Sequence, residues 1–450
     1  MDFCQALAFD TVPAGVTDAA KWCLLDSLSC VLFGYEEPWA RIMAEEMLAE
    51  GSQGRSTIVG YRQAVAAPAA ALCNGTAAHG FELDDHLDEA IVHPGAIIIP
   101  AAMAAAEAVD APGSRLLLGI IAGYETLNRV GLAMGVGPSV RGYHKTALAG
   151  PVGAAMAAGV VLSLNAEQLL MAVGLACATA SGTKSFATGT GGGMEKRMHA
   201  GRAAEAGVRM AQLAARGFTA PPVALDGRFG LLEVVSGDAA RPELLAQDLG
   251  GHWAVQHVYV KLYPCCAWIQ AAAQQLVVLR GPQPLPPQQV RKVRVGVSAY
   301  AMNQNGQIEP PDTMGAQFSI PYCAALALTG DPADPAMYAP SAIREPGRRE
   351  LARRVELFVD PEMEAAYPRH YGARVELELA DGTRSGSVML DPHGMPADPC
   401  TEAERLDKFA RLAGRVLPSP AIAELLCEVR GAERLASVRA LTGILQEQLS

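Results

Sequence analysis

A long run of small apolar residues constrains the fold of this chain more than any other feature. Residues 147–164, ALAGPVGAAMAAGVVLSL, are apolar on nearly every side of a helix, which predicts a helix at the centre of a helical domain. Its alanines and glycines allow neighbouring helices to approach closely. Half of the chain is hydrophobic and only 6% is aromatic, a balance that favours a tightly packed, mostly α protein.

Apolar residues at helical spacing occur through most of the N-terminal half of the chain, and the pattern changes near Val258. The helical pattern covers residues 3–48, begins again at Pro68, and continues through 97–175, with breaks at Pro112–Gly113, Gly135–Pro138 and Asn165. Near Val258 the pattern changes. Residues 290–302 and 373–390 alternate apolar and polar residues, Asp381–Gly382 predicts a hairpin, and helical stretches lie at 267–279 and 317–328. We therefore predict a large helical domain (1–258), an inserted α+β lid domain (259–394) and a helical return (395–450).

Charge and composition exclude several classes of partner. The net charge of −11 argues against nucleic acid, although a local basic pocket can still hold a small anion. The N-terminus has neither a basic region nor a long apolar run, so we expect no signal peptide and no membrane anchor. Ten cysteines without a spacing framework indicate a cytoplasmic protein.

Residues 74–95, NGTAAHGFELDDHLDEAIVHPG, concentrate acidic and imidazole side chains between two alanine-rich tracts. Adjacent carboxylates repel, so one of them is driven toward its protonated form, and imidazoles beside them can transfer protons near neutral pH. Pro94 favours an extended backbone at His93. Two alternatives are a solvated acidic loop and a metal site. Without a HisGluXXHis spacing or a paired-cysteine motif, the metal site is the weaker hypothesis.

Two more polar patches follow. His144 directly precedes the central apolar helix, where the helix N-terminus favours an anion; alternatively it only caps that helix. Residues 189–199, GTGGGMEKRMH, lack the features of a Walker or dinucleotide motif. Their glycines would let a ligand approach the backbone while Lys196 or Arg197 binds its carboxylate, although a flexible surface loop fits the pattern equally well.

Further candidate site residues lie after Val258, where the helical pattern gives way to the predicted α+β domain. In KLYPCC, Lys261 is a candidate carboxylate ligand, and Cys265 or Cys266 could act as an acid, base or nucleophile, unless these thiols are simply buried. In QFSIPY, Tyr322 could donate a proton, or it could be a packed aromatic residue.

Five segments in this order resemble the MmgE/PrpD family, and together they span nearly the whole chain. They are NGTAAHGFELDDHLDEAIVHPG, RGYHKTALAGPVGAA, MEKRMHAGRAAEAGVRMAQLAARGFTAP, VKLYPCCAWIQ and AQFSIPYCAALAL. The family includes 2-methylcitrate dehydratase, cis-aconitate decarboxylase and iminodisuccinate epimerase. The resemblance implies a helical domain with an inserted lid, a homodimer, no metal, no organic cofactor, and proton transfer beside a carboxylate of a small di- or tricarboxylate.

The resemblance also implies roles for individual residues. The catalytic candidates are Asp84, Asp85, His93, His144 and Tyr322, and the substrate-binding candidates are Glu82, His86, Lys196, Lys261 and Cys266. The chain departs from the family's usual AspPheAspAspThr, with Glu82 at the first acidic position and His86 in place of threonine. MetGluLysArgMetHisAlaGly at 194–201 also departs from the family's usual MetThrLysXXHisXGly. Cys266 stands where decarboxylase-type members carry histidine.

We therefore expect a lyase that dehydrates a hydroxy polycarboxylate of the 2-methylcitrate kind, without a cofactor, in a cleft between the helical and lid domains. The alternatives are an epimerase of a substituted succinate, a decarboxylase of the cis-aconitate kind, which the cysteine at 266 disfavours, and a non-catalytic homologue.

Overall fold

The computed structural model describes residues 1–187, 193–447 and 449, and most of these residues are helical. The helices of the N-terminal half are α1 (Asp2–Ala6), α2 (Ala14–Gly34), α3 (Pro38–Ala49), α4 (Ala67–Ala78), α5 (Gly95–Val109), α6 (Gly113–Met134), α7 (Gly137–Val140), α8 (Lys145–Val161), α9 (Ala166–Cys177), α10 (Glu195–Ala215) and α11 (Leu231–Ser236). The predicted breaks at Pro112–Gly113 and Asn165 are confirmed, and the Asn165 side chain caps α9. The break predicted at Gly135–Pro138 is shorter than expected, because α7 already begins at Gly137.

The remaining elements combine strands with helices. The helices are α12 (Ala267–Arg280), α13 (Ala299–Asn305), α14 (Thr313–Gln317), α15 (Ile320–Thr329), α16 (Pro340–Ile343), α17 (Pro346–Ala352), α18 (Pro361–Ala366), α19 (Glu402–Ala413), α20 (Ser419–Arg430) and α21 (Arg439–Glu447); the strands are β1 (Val290–Val297), β2 (Val355–Val359), β3 (Ala373–Leu379) and β4 (Arg384–Met389). With 58% of the chain helical, the predicted mostly α class is confirmed.

The chain divides into two compact units. The first comprises Met1–Thr183, Arg197–Val258 and Thr401–Ser450, and the second comprises Lys184–Lys196 and Tyr259–Cys400. The sheet belongs to the second unit, while helices build the first. The role of the second unit as a lid stays a prediction. In the part of the chain that the structure describes, no helix is both long and apolar enough to cross a membrane.

The core of the first unit is built around α8, as its all-round apolar sequence predicts. Every residue of α8 except Val160 is buried, and the helix packs against α5, α6 and α9. Small residues make this possible: a Cβ at Gly153 would lie 2.6 Å from the Cβ of Leu127 on α6. Removing the apolar surface of α8 from water therefore stabilises this unit.

Two glycines bring α4 and α10 into backbone contact. A Cβ at Gly75 would lie 2.8 Å from the Cα of Gly201, and a Cβ at Gly201 would collide with the carbonyl oxygen of Leu72 and the hydroxyl of Thr76. Neither position has room for a side chain. This contact holds the C-terminal end of α4, where His79 follows, close to the first turns of α10, where His199 lies.

The four strands of the second unit form one mixed sheet in the order β2-β1-β3-β4. Strand β1 pairs in parallel with β2 and antiparallel with β3, and the predicted Asp381–Gly382 hairpin joins β3 to β4. Gly382 has a φ of 90°, a conformation that glycine adopts without strain. Helices α12 and α15 pack on the sheet.

Two predicted boundaries in the second unit are wrong for the same reason. The alternating pattern predicted a strand over 290–302, but β1 ends at Val297 because the Ser298 side chain accepts a hydrogen bond from Ala301 and starts α13. The helix predicted over 317–328 starts instead at Ile320, where Ser319 is the capping residue. In both places a serine side chain caps the start of a helix, so the helix begins after that serine although the apolar pattern continues through it.

Substituting Gly201 by alanine tests the contact between α4 and α10. The added methyl group has no room against Leu72 and Thr76, so we expect Gly201→Ala to lower the free energy of unfolding by about 1–3 kcal/mol in urea denaturation. The matched control is Gly443→Ala in α21, where a Cβ meets nothing within 4 Å. It should be neutral or stabilising by about 0.4–1 kcal/mol. Equal effects of the two substitutions would contradict the close contact.

Candidate active site

The segment between α4 and α5 carries the predicted acidic and imidazole residues and is folded into the first unit. After α4 the chain makes one 3-10 turn at His79–Phe81, and Glu82 adopts a left-handed conformation with a φ of 58°. A short bridge pairs Leu87 with Val92 before His93. Most of the segment is buried, Asp84 and Asp85 almost completely. The alternative of a solvated acidic loop is therefore wrong.

Asp84 lies between two imidazoles. Its Oδ2 is 2.6 Å from Nδ1 of His79 and 3.4 Å from Nδ1 of His93. Such a carboxylate fixes the orientation of each ring and stabilises positive charge on either of them.

The backbone determines which nitrogen of His93 carries the proton. Nδ1 of His93 lies 2.9 Å from the carbonyl oxygen of Asp85, and a carbonyl oxygen only accepts, so Nδ1–H is the donor. The lone pair of the neutral ring is therefore on Nε2. The His93 backbone N–H donates to the hydroxyl of Thr146 at 3.2 Å, which fixes the position of the residue against α8.

A second imidazole pair lies beside the first. Nδ1 of His144 is 2.9 Å from Nδ1 of His199, so one ring carries a proton on Nδ1 and donates a hydrogen bond to Nδ1 of the other ring. His144 occupies the N-cap position of α8, but its side chain makes no capping hydrogen bond, so the prediction that it serves only as a cap is wrong.

Together these rings form an imidazole cluster of five buried side chains: His79, His86, His93, His144 and His199. The ring centroids of His93 and His144 are 6.4 Å apart, and that of His86 is 4.8 Å from His93. Nδ1 of His86 lies 2.7 Å from a carboxylate oxygen of Asp88. The cluster thus contains three sets of polar contacts, His79 and His93 with Asp84, His86 with Asp88, and His144 with His199, whose rings could give or take a proton.

Both carboxylate oxygens of Asp85 accept hydrogen bonds from the protein, which gives this side chain a structural role. Its Oδ1 accepts a hydrogen bond from Gly95 N at 2.7 Å, and its Oδ2 accepts one from the Tyr124 hydroxyl at 2.7 Å. Burial, reinforced by the charge of Asp26, raises the pKa of Asp85 to about 7, although both hydrogen bonds oppose the shift. A Cβ at Gly95 would lie 2.7 Å from Oδ1 of Asp85, so only glycine fits the start of α5.

Glu82 and Arg197 form a buried ion pair in the first unit. Oε1 of Glu82 is 3.1 Å from a guanidinium nitrogen of Arg197, and each side chain is about 1% exposed. The guanidinium also lies over the ring of Trp39, 5.1 Å from its centroid. Because Glu82 already matches the charge of Arg197, Lys196 is the better candidate for binding a substrate carboxylate.

The other predicted residues lie in the second unit. Lys196 is buried, with its amine 5.2 Å from the ring centroid of Phe318, and Lys261 is fully buried. Cys266 is the N-cap of α12, and its thiol accepts a hydrogen bond from the Gln304 amide at 3.8 Å. The predicted ligand-binding glycines at 189 and 191–192 lie outside the described residues.

Tyr322 is buried within α15, and its hydroxyl donates to the Met337 carbonyl oxygen. Burial raises the pKa of this hydroxyl to about 12. These contacts favour the packed aromatic residue over the proton donor.

Sequence reasoning missed several members of the site. His79 was noted in its segment but not selected, although its place five residues before Asp84 puts both on one turn. His199 stands in the GTGGGMEKRMH motif, from which only the basic residues were selected. Lys408 had no sequence signal: from α19 it donates to the Leu83 carbonyl oxygen at 2.7 Å and pairs with Asp26 at 2.7 Å.

His79, Asp84 and His93 also offer metal-ligand atoms within 4.8 Å of one another. Two imidazoles and a carboxylate suit several divalent metals. However, Nδ1 of His93 carries a proton for the Asp85 carbonyl, and Nδ1 of His79 is 2.6 Å from the Asp84 carboxylate. This geometry fits proton transfer better than metal binding.

Comparisons with known proteins agree on one family. The model of the MmgE/PrpD N-terminal domain matches residues 1–243, and that of the MmgE/PrpD C-terminal domain matches residues 263–429. Cis-aconitate decarboxylase of Aspergillus terreus is 28% identical, over 98% of this chain and 93% of its own length. The cis-aconitate decarboxylase-like protein oryM of Aspergillus oryzae is also 28% identical, over 97% and 94%.

The raised pKa of Asp85 predicts a pH-dependent stability. The folded state holds this proton more tightly than the unfolded chain, so the contribution of Asp85 to the free energy of unfolding falls as the pH rises from about 4 to about 7. In Asp85→Asn, the amide can still accept from Gly95 and donate to the Tyr124 oxygen. We expect urea denaturation between about pH 4.5 and about pH 7.5 to show a smaller loss of stability for Asp85→Asn than for the wild type. Identical pH dependence would contradict the assignment.

Proposed function

The chain belongs to the MmgE/PrpD family, and from this membership and the imidazole cluster we propose that it is a lyase of small polycarboxylates that works by acid–base catalysis. The observation that carries the proposal is the presence of two imidazole systems in one buried cluster, one on Asp84 and one formed by His144 and His199. Two such groups allow one proton to be removed and another to be delivered in the same reaction.

In this proposal His93 is the general base. Its Nδ1–H is held by the Asp85 carbonyl, so Nε2 is free of a proton in the neutral ring and can take the hydrogen α to a substrate carboxylate. Asp84 lies 3.4 Å from Nδ1 and stabilises the imidazolium that forms. The backbone and one carboxylate thus prepare the ring for this step.

His144 is the proposed general acid. Its Nδ1 is engaged with His199, so a proton delivered to a leaving group comes from Nε2 of a protonated His144, while His199 supports the ring. Lys196 and Lys261, both buried in the second unit, are proposed to bind substrate carboxylates. Asp85 and Tyr322 have no part in proton transfer here, because their oxygens are engaged in the contacts described above.

The first candidate reaction is dehydration of a hydroxy tricarboxylate of the 2-methylcitrate kind. His93 takes the hydrogen from carbon, the carbon–oxygen bond breaks, and His144 protonates the departing hydroxide, which leaves water and a carbon–carbon double bond. Two proton transfers on two imidazole systems match this reaction.

The second candidate is decarboxylation of cis-aconitate, and the names of the two Aspergillus relatives favour it. Here a carbon–carbon bond breaks, carbon dioxide leaves, and one imidazolium protonates carbon. Both candidates begin from a tricarboxylate.

A deuterium experiment distinguishes the candidates. Purified, chelator-treated protein is incubated in deuterated water with 2-methylcitrate, citrate, cis-aconitate and substituted succinates, and the products are followed by proton NMR. Formation of an alkene from a hydroxy acid is the expected result. Release of carbon dioxide with deuterium on carbon identifies the decarboxylase, and deuterium uptake without a new skeleton identifies an epimerase. No reaction with any tricarboxylate would overturn the proposal.

Substituting the proposed base and acid tests the mechanism. His93→Asn and His144→Asn should each lower kcat by ~10²–10⁴-fold, because each removes one general acid or base. The control is His370→Asn, which replaces a partly exposed histidine paired with Asp391 and should leave kcat unchanged. Circular dichroism confirms that each variant is folded. Full activity of both His93→Asn and His144→Asn would refute the assignment.

A further inference from the structure

The amine of Lys196 lies in a corner formed by two aromatic rings of the second unit. Its Nζ is 5.2 Å from the ring centroid of Phe318 and 5.9 Å from that of Phe186. The two ring centroids are 5.9 Å apart, and the rings meet edge to face at 81°. All three side chains are buried. An ammonium within about 6 Å of a ring centroid is attracted by the negative face of the ring, and more strongly where water is excluded.

Phe318 is held in place by its backbone. Its N–H donates to the carbonyl oxygen of Met314 at 3.1 Å, and its carbonyl oxygen accepts from the Asn305 side chain at 3.2 Å. It lies between the end of α14 and Ser319, the residue that caps α15. Contacts with the helices on both sides therefore fix the ring, so Phe318 can anchor a side chain as flexible as that of a lysine.

Phe186 is anchored within the second unit as well. It lies in a single 3-10 turn, Ser185–Ala187. The residue before this turn, Lys184, donates to the hydroxyl of Tyr300 on α13, and its amine lies 4.7 Å from the centroid of that ring. The turn is thus held by a lysine–aromatic contact of its own while Phe186 packs against Phe318.

Lys408 shows a different way of holding a buried lysine. Its amine is 2.7 Å from a carboxylate oxygen of Asp26, which carries the opposite charge, and it also donates to the Leu83 carbonyl oxygen. A phenyl ring carries no net charge, so it attracts an ammonium without neutralising it. Aromatic rings therefore suit a lysine that has to present its charge to an anion, as the proposed function requires of Lys196.

We propose that Phe318, together with Phe186, is a positioning residue that holds the ammonium of Lys196 for a substrate carboxylate. This role rests on the proposed function, in which Lys196 binds that carboxylate, and specifies how the amine is held. Weakening the attraction of the ring should therefore weaken binding of a polycarboxylate more than it slows the chemical step.

Fluorination of Phe318 tests the attraction while keeping the packing of the ring. In the full chain, the residue is replaced by 4-fluoro-, 3,5-difluoro- and 3,4,5-trifluorophenylalanine, which progressively remove negative charge from the face of the ring. The affinity for propane-1,2,3-tricarboxylate, a polycarboxylate without a hydroxyl group to eliminate, is measured by isothermal titration calorimetry. It should fall with each added fluorine, by about 2- to 30-fold for the trifluorinated ring.

The matched control is the same series at Phe409, which is also buried but has no cation over its ring in the described chain. Fluorination there should leave the affinity unchanged. In turnover assays, fluorination of Phe318 should raise KM for a polycarboxylate more than it lowers kcat, because the ring acts on binding and not on the proton transfers. A residue that only fills space would show no dependence on the number of fluorine atoms.

The outcomes separate this role from the proposed function. A stepwise loss of affinity without turnover of any polycarboxylate supports the positioning role of Phe318 and refutes the lyase. Turnover with equal affinity across the Phe318 series refutes the role of Phe318 and leaves the lyase intact. A wild-type protein that binds no polycarboxylate overturns both.

Discussion

The backbone contact between Gly75 and Gly201 is the constraint on which the candidate site depends. It allows α4 and α10 to approach more closely than side chains would permit, and His79 and His199 lie just beyond the contact on the two helices. A larger residue at either position would move one imidazole away from the others. The many small residues of this chain thus have a functional consequence: they set the spacing of acid–base groups whose hydrogen bonds are sensitive to tenths of an ångström.

Proton chemistry at the cluster is directed by groups that do not exchange protons with a substrate. The Asp85 carbonyl selects the tautomer of His93, while the Asp85 side chain holds Gly95 and so fixes the turn that carries His93. Lys408, more than 300 residues away in sequence, holds the Leu83 carbonyl just before the acidic pair. The C-terminal helical segment therefore supports the acidic loop directly, and its burial beside Asp26 links the stability of the tail to the geometry of the site.

Local patterns were sufficient to predict the helices, the Asp381–Gly382 hairpin and the concentration of acid–base residues at 74–95, because each depends on residues close in sequence. They were not sufficient where a tertiary contact decides the outcome. No spacing shows that Asp84 bridges His79 and His93, that Nδ1 of His144 meets His199, or that Arg197 is matched by Glu82. The boundary errors at Ser298 and Ser319 have a different origin: a single capping side chain outweighed an apolar pattern that continues through it.

The departures from the family pattern bear most directly on the choice of substrate. Glu82, at the first acidic position, pairs with Arg197, and Glu195, where threonine is usual, accepts a hydrogen bond from Ser185. The charge of Glu82 is thus matched within the protein, whereas Glu195 is exposed and keeps its charge at the surface. His86 is different. Asp88 holds its Nδ1, and its ring meets that of His93 edge to face at 4.8 Å, where the usual threonine would be too small to reach. The departure therefore places an aromatic ring beside the proposed base.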